Sequence, residues 1–266
     1  MRDSMISSRQ NPIVRGFREL ARTPDPTGAR LLLDGVHLVR DAMAAGAEFE
    51  SIAVAASCRS GSEEADVARA AEAHGARVLT VSESVFAAMS PVRAPSGVVA
   101  IVRRTPVDAD AICAGQDALA LVAVDVQDPG NLGALIRAGE AGGVRGVLTC
   151  GASANPFSWK AVRGSMGSII RLPVAAGLDL ETAIRGIRAH KGSIVAAVPR
   201  QGEDPDAIRW RGRVGLLIGG EGGGLSDVAR AQADELVTIP MKPPVESLNV
   251  AVAAAILVYA ARRQRT

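Results

Sequence analysis

Two asparagines, an arginine, a glutamate and a serine in three short stretches carry the polar chemistry that this chain offers. The first stretch reads Asp125-Val-Gln-Asp-Pro-Gly-Asn131-Leu-Gly133-Ala-Leu-Ile-Arg137. Asn131 is of a type that caps helices, Gly133 permits close backbone approach, and Arg137 follows one to two turns later, where a guanidinium fork suits a phosphate or ribose. The second is Ile218-Gly219-Gly220-Glu221-Gly-Gly-Gly224-Leu225-Ser226. It has no Gly-Lys-Ser/Thr and does not fit the dinucleotide fingerprint. Glu221 repels a pyrophosphate, so a ligand with a positive centre or hydroxyl donors suits this loop better, although a tight turn capped by Ser226 explains it equally when taken alone. In the third, Ile239-Pro-Met241-Lys-Pro-Pro-Val-Glu-Ser247-Leu248-Asn249, Ser247 is placed to cap the apolar helix that follows. Asn249 then falls in its first turn, beside free backbone N–H groups that suit a polar ligand edge. His37, His74 and His190 have no motif company, so no Ser-His-Asp arrangement is expected.

These stretches need a scaffold that brings them together. From Leu119 onward, apolar runs near Leu119–Asp125, Gly146–Thr149, Ile169–Pro173, Ser193–Val198, Val214–Ile218 and Leu236–Ile239 alternate with helical patterns at Leu132–Ala141, Leu180–His190 and Asp227–Ala233. Runs such as LALVAV and VGLLI predict a mostly parallel sheet covered on both faces. Ligands of such sheets gather beyond the carboxyl ends of the strands, where all three stretches fall. The final helix, from Val250 to Ala260, shows no polar face before Arg262 and is expected to be buried, as a core helix or a dimer helix. Upstream, strands and helices between Arg30 and Val102 predict a small α/β sandwich, and Thr105–Gln116 reads as a linker. The expected domains are therefore 1–105, a linker at 106–116, and 117–266. Before the sandwich, Ser7–Arg22 reads as a short amphipathic helix with Arg9, Arg15, Arg18 and Arg22, either a solvated face or a surface for RNA phosphates.

Composition narrows the function classes. With 266 residues and 48% hydrophobic content the chain can build an ordinary core, whereas 3% aromatics disfavour an aromatic platform for single-stranded RNA. A net charge of +2 permits a polyanionic partner without requiring one. Nearly every cation is arginine, the lysines being Lys160, Lys191 and Lys242. Cys58, Cys113 and Cys150 are far apart and odd in number, which predicts reduced thiols, no metal site and an intracellular protein. The first twelve residues lack an apolar signal core, and the longest apolar run is too short to span a bilayer, so no membrane association and a cytoplasmic location are expected.

Taken together, Asn131-Leu-Gly133-Ala-Leu-Ile-Arg137, Gly219-Gly-Glu221-Gly-Gly-Gly224-Leu225 and Ile239-Pro-Met241 with Ser247-Leu-Asn249-Val resemble the three motifs of the SpoU/TrmH group of SPOUT RNA methyltransferases, in the same order and spacing. Lys160-Ala-Val-Arg163 is similar to a further segment of that family, and Asp34-Gly-Val-His-Leu-Val39 with Pro95-Ser-Gly-Val-Val-Ala100 resembles its N-terminal substrate-binding domain more weakly. Asp34 stands where the family more often has Glu, and Pro243-Pro244 where it often has Gly.

The resemblance implies an α/β fold: a C-terminal SPOUT-type knotted parallel-sheet domain and a smaller N-terminal ribosomal-protein-like α/β sandwich. It implies a homodimer and methyl transfer from S-adenosyl-L-methionine to a ribose 2′-hydroxyl of RNA. The extra N-terminal domain favours ribosomal (23S) RNA over tRNA, a non-catalytic RNA-binding protein of the same fold being the other reading. Gly219, Gly220, Ile239, Met241 and Leu248 are then expected around the cofactor. Arg137, Asn131, Glu221, Ser247 and Asn249 are expected at the reacting groups, and Arg137, Lys160 and Arg163 on RNA phosphates.

Overall fold

In the computed structural model, residues 5–265 are described; residues 1–4 and 266, at the outer ends of the expected domains, lie outside the described residues. The chain forms two compact units, one holding the described residues up to Thr105 together with Phe157–Ile170, the other Pro106–Pro156 and the described residues from Arg171 onward.

The first unit opens with α1 (Pro12–Arg22), which starts where Asn11 accepts a hydrogen bond from the Ile13 amide and Pro12 supplies a preset φ. β1 (Arg30–Asp34), α2 (Val36–Ala44), β2 (Glu48–Ala55), α3 (Glu63–Ala73), β3 (Arg77–Val81), α4 (Glu83–Met89) and β4 (Val98–Arg103) follow. The strands make one sheet in the order β1-β4-β2-β3, with β2 and β3 parallel and the β4 pairings antiparallel. Val14, Phe17 and Leu20 of α1 and Val85, Phe86 and Met89 of α4 pack on Leu32, Ala53, Leu79, Val99 and Ile101 of that sheet. Arg15 and Arg22 remain on the exposed side of α1, with Arg18 half-buried beside them.

The second unit holds α5 (Ala109–Cys113), β5 (Leu119–Val124), α6 (Pro129–Gly142) and β6 (Gly146–Cys150). After α7 (Trp159–Gly164) and α8 (Ser168–Arg171) it resumes with β7 (Val174–Leu178), α9 (Leu180–Ala189), β8 (Ser193–Ala197), β9 (Val214–Gly219), α10 (Asp227–Ala231), β10 (Glu235–Val237) and α11 (Val250–Arg265). Its six strands are all parallel, in the order β10-β8-β9-β5-β6-β7. Every residue of β5 is buried, as a parallel strand covered on both faces must be. Val122, Leu148 and Leu217 meet Ile184 and Ile187 of α9 and Ile112 of α5, while α6 and α11 pack together. At that helix contact a Cβ on Gly142 would stand 2.1 Å from Cγ1 of Val258, so the Val258 side chain seats where α6 has none.

Three expectations change. The run Ile169–Pro173 is not a strand: Pro173 cannot donate to a ladder, so β7 begins after it and Ser168–Arg171 takes a helical turn, anchored where the Ile169 amide donates to Ser165 Oγ. Within 106–116, α5 buries Ile112 and Cys113 in the second core, its start capped by Asp108. α7 groups with the first unit although it lies between β6 and β7 in the chain. Its Trp159 packs against the α1 and α4 core, and Arg104 lies 5.0 Å over the Phe157 ring.

Within the single chain the last helix is buried on one side. Leu257, Val258 and Ala254 are enclosed, but Val252, Ile256 and Tyr259 are 47%, 40% and 45% exposed and fall at i, i+4 and i+7 on one face. No helix among the described residues is long and apolar enough to cross a membrane.

Candidate active site

The loops after β9 and β10 bound a cavity of about 600 Å³, within the range of roughly 300–1,000 Å³ typical of small-molecule sites. Gly219, Gly220, Ile239, Met241 and Leu248 all line it, as do Glu221, Ser247 and Asn249. Its walls are apolar at Ile218 and Leu257, and backbone and carboxylate groups supply the polar edge.

The Gly-rich loop is shaped by backbone crowding. A Cβ on Gly220 would stand 1.9 Å from the carbonyl oxygen of Asp125, and one on Gly219 would meet Gly224 and Leu225. No other residue fits at position 220, because the obstruction is main chain and cannot rotate away. Gly224 N–H donates to the Gly220 carbonyl at 3.2 Å, closing the turn, and Leu225 buries its side chain beneath it. Ser226 caps α10 by accepting from Ala229 N–H.

Two helix starts differ from expectation. Asp128, not Asn131, caps α6: its Oδ1 accepts from the Asn131 amide at 2.7 Å, with Pro129 in the first turn. Asn249, not Ser247, caps α11, accepting from Ala251 N–H at 3.0 Å and Val252 N–H at 3.3 Å. The reason is position, since a cap side chain reaches the second and third amides only from the residue immediately before the helix. Both shifts matter for the site. Asn131 is released to face the loops, and Asn249 turns its remaining amide group toward it.

The Asn249 oxygen being engaged by α11, its Nδ2 points outward and donates to Asn131 Oδ1 at 3.0 Å. Asn131 must then offer its own Nδ2 on the other side, where it donates to Glu221 Oε1. One primary amide thus joins the three motif loops, and its donor and acceptor ends are fixed by the neighbours. Ser247 is exposed at the cavity rim.

Arg137 is not among the cavity-lining residues. Six residues beyond Asn131 on α6, it lies roughly 120° round the helix from it at about 100° per residue, exposed and without an ion pair among the described residues. Lys160 and Arg163 are exposed on α7 and belong to the first unit, whereas the cavity belongs to the second. Lys160 Nζ sits 5.6 Å from the Trp159 ring, and the positive charge of Arg163 reaches Asp34, whose carboxyl burial nonetheless pushes above its ordinary value.

Sequence reasoning missed Glu246. It lines the cavity next to Ser247 and pairs with Arg200 at 3.0 Å, a contact across 46 residues that no local pattern signals. The cysteines take no part: burial pushes the Cys113 thiol up to about 11 and that of Cys150 to about 12, so both stay protonated at neutral pH. No group of three or more His, Cys, Asp or Glu side chains that could hold a metal occurs among the described residues.

Comparison with known proteins identifies this arrangement. The SpoU rRNA Methylase family model matches residues 118–259, and the model of the MRM3-like substrate binding domain matches residues 11–100. A solved AdoMet-bound rRNA methyltransferase from Sinorhizobium meliloti superposes with a TM-score of 0.83 at 30% identity, over 98% of each chain. The 23S rRNA guanosine 2′-O-methyltransferase RlmP of Bacillus subtilis is 28% identical over 96% of this chain and 97% of its own. RlmB of Xylella fastidiosa, also a 23S rRNA guanosine 2′-O-methyltransferase, is 39% identical over 58% of this chain and 61% of its own. Fold and cavity thus define a SPOUT-class α/β protein, an S-adenosylmethionine-dependent RNA ribose methyltransferase with an N-terminal domain. Within that class the chain belongs to the SpoU rRNA methylase family.

The amide bridge yields a test. Asn131→Asp replaces the donor facing Glu221 with a second carboxylate, so calorimetric affinity for S-adenosylmethionine should fall further than in Asn131→Ala. The gap between the two variants should narrow as salt rises, because like-charge repulsion between exposed groups is screened.

Proposed function

We propose that this chain methylates a ribose 2′-hydroxyl in 23S ribosomal RNA, acting as a cytoplasmic homodimer. The observation that carries this reading is the cavity of the second unit, where Gly219, Gly220, Ile239, Met241 and Leu248 line one space and Asn131 ties Glu221 to Asn249 beside it. The two full-length or half-length relatives named as 23S rRNA guanosine 2′-O-methyltransferases support the choice of RNA.

The residues fit S-adenosylmethionine: the apolar side chains of Ile218 at the end of β9 and Ile239 in the loop after β10 suit an adenine, backbone groups of Gly219 and Leu248 its polar edge, and Glu221 a positive centre. When bound, this cofactor supplies a methyl group on a cationic sulfur. The chain's own task is alignment and charge stabilisation, because the attacking oxygen sheds a proton as it reacts. Asn131 and Asn249 hold the loop geometry, Ser247 offers a hydroxyl at the rim for ribose or cofactor, and Glu221 orders the Gly-rich turn. Arg137, exposed and without an ion pair among the described residues, anchors a phosphate next to the target ribose and stabilises negative charge on the oxygen. A guanidinium with a pKa above about 12 does not serve as the base.

Lys160 and Arg163 contact flanking phosphates, and the arginines of α1 extend the basic surface of the first unit. The exposed stripe Val252, Ile256 and Tyr259 on α11 supports the homodimer: half-exposed apolar side chains in register on one helix face are what a second copy would cover.

Transfer of labelled methyl groups from S-adenosylmethionine into 23S RNA, with the site mapped in cells with and without the gene, tests the reading as a whole; no transfer to any RNA despite cofactor binding would overturn it. Arg137→Ala should lower kcat by about 10²–10³ while cofactor affinity stays within about twofold, in line with losing one preorganised charge partner. Full activity in Arg137→Lys would refute a need for the guanidinium fork on the phosphate. Lys160→Ala with Arg163→Ala should flatten the dependence of log affinity on log salt by roughly 0.7–0.9 per lost phosphate contact, and an unchanged slope removes them from the interface. Ile256→Glu should turn the dimer into a monomer in light scattering; a wild-type monomer at micromolar concentration would sink the dimer.

A further inference from the structure

Asp125 is the residue at which three neighbouring strands of the second unit are tied together, and no role in the methyl-transfer site follows from its place in the cavity, since it is not among the lining residues. It follows β5 directly and has φ +56°, a left-handed conformation that few side chains other than Asn and Asp adopt readily. On one side its Oδ1 accepts a hydrogen bond from Ala152 N–H at 2.7 Å, in the turn that leaves β6. That turn closes round the carboxylate so tightly that a Cβ on Gly151 would lie 2.4 Å from the same oxygen. The Asp125 amide donates to the Cys150 carbonyl at 3.2 Å, and Val126 N–H donates to Ser153 Oγ at 3.1 Å, so the two strand ends are joined over several residues.

On the other side the left-handed turn aims the Asp125 carbonyl at Gly220, where a Cβ would come within 1.9 Å of it. Gly220 N–H in turn donates to the Val124 carbonyl at 2.8 Å. Gly220 opens the Gly-rich loop that walls the cavity. β6, β5 and β9 are adjacent in the sheet, so a single residue relays the position of the β6 turn to the loop after β9.

We propose that Asp125 is a positioning residue for the methyl donor: its carboxylate, held by the Ala152 amide, keeps the left-handed turn whose carbonyl seats Gly220, and thereby sets the shape of the loop that receives S-adenosylmethionine. This rests on the functional reading above. The effect belongs to cofactor affinity and not to the transfer step or to RNA binding, because the contacts of Asp125 run to the turns after β6 and β9 and it does not itself line the cavity. The carboxylate acts as an acceptor and as a left-handed residue, and its charge is dispensable.

The experiment is calorimetric titration of the full chain with S-adenosylmethionine, with KM for the cofactor and kcat at saturating cofactor measured on RNA. Asp125→Asn keeps both the acceptor and the tolerance for positive φ and should bind within about twofold of wild type. Asp125→Ala should bind about tenfold more weakly, about 1.4 kcal/mol at 25 °C, and raise KM for the cofactor alike, with kcat and the salt dependence of RNA binding unchanged. Asp125→Gly, which takes the same φ without strain but has no acceptor, replaces the Ala variant if that one does not melt cooperatively, and it too should bind more weakly than wild type. Wild-type affinity in the Ala or Gly variant overturns the proposal, as does an Asn variant impaired as much as Ala. Failure of the wild-type chain itself to bind the cofactor would instead count against the functional reading, so the two are read separately.

Discussion

The carboxamide of Asn131 is the group on which the geometry of this site depends. It sits between two loops 90 and 118 residues further along the chain, donating to Glu221 and accepting from Asn249. Only a side chain with one donor end and one acceptor end can do both. A carboxylate has no donor for Glu221, and a hydroxyl does not span the two neighbours. The orientation is not free either, because α11 claims the Asn249 oxygen for its first amides and so dictates which end of Asn131 faces which loop.

Around the bridge the chain packs closely at its glycines. Gly220 lies against the Asp125 carbonyl, Gly219 against Gly224 and Leu225, and Gly142 of α6 against Val258 of α11. Parallel strands place their carboxyl ends side by side, and short loops leaving adjacent ends then share one space. With this crowding the cavity needs little side-chain polarity. Its wall is largely main chain and aliphatic surface, which suits a ligand read through hydrogen bonds to backbone and through shape.

The segment Phe157–Ile170 shows a different use of the chain. It leaves the second unit between β6 and β7 and contributes Phe157 and Trp159 to the first. Lys160 and Arg163 are consequently presented by the first unit, together with the arginines of α1. A local reading of Lys-Ala-Val-Arg as part of the C-terminal domain is natural, since the sequence on either side belongs there. Only the burial of Phe157 and the packing of the half-buried Trp159 reveal where it packs.

What the sequence by itself determined is the class of fold and the identity of the loops. Continuous apolar runs such as Leu119–Val124 exclude a sheet with a wet face, and the order of Asn131, Glu221 and Asn249 along the chain belongs to a known family. The five residues expected round the cofactor do share one cavity. Tertiary structure alone decided the rest. Which residue caps a helix depends on where the backbone first turns, so Asp128 and Asn249 took roles that composition assigned to Asn131 and Ser247. The strand expected at Ile169–Pro173 moved beyond the proline, because a ladder needs the N–H that proline lacks. The all-apolar α11 left Val252, Ile256 and Tyr259 uncovered, since hydrophobicity states that a face must be buried and not by what. The salt bridge of Glu246 to Arg200 and the left-handed turn of Asp125 against Gly220 join residues with no local relation. Such contacts are set by the packing of strand ends, and only the folded chain brings them together.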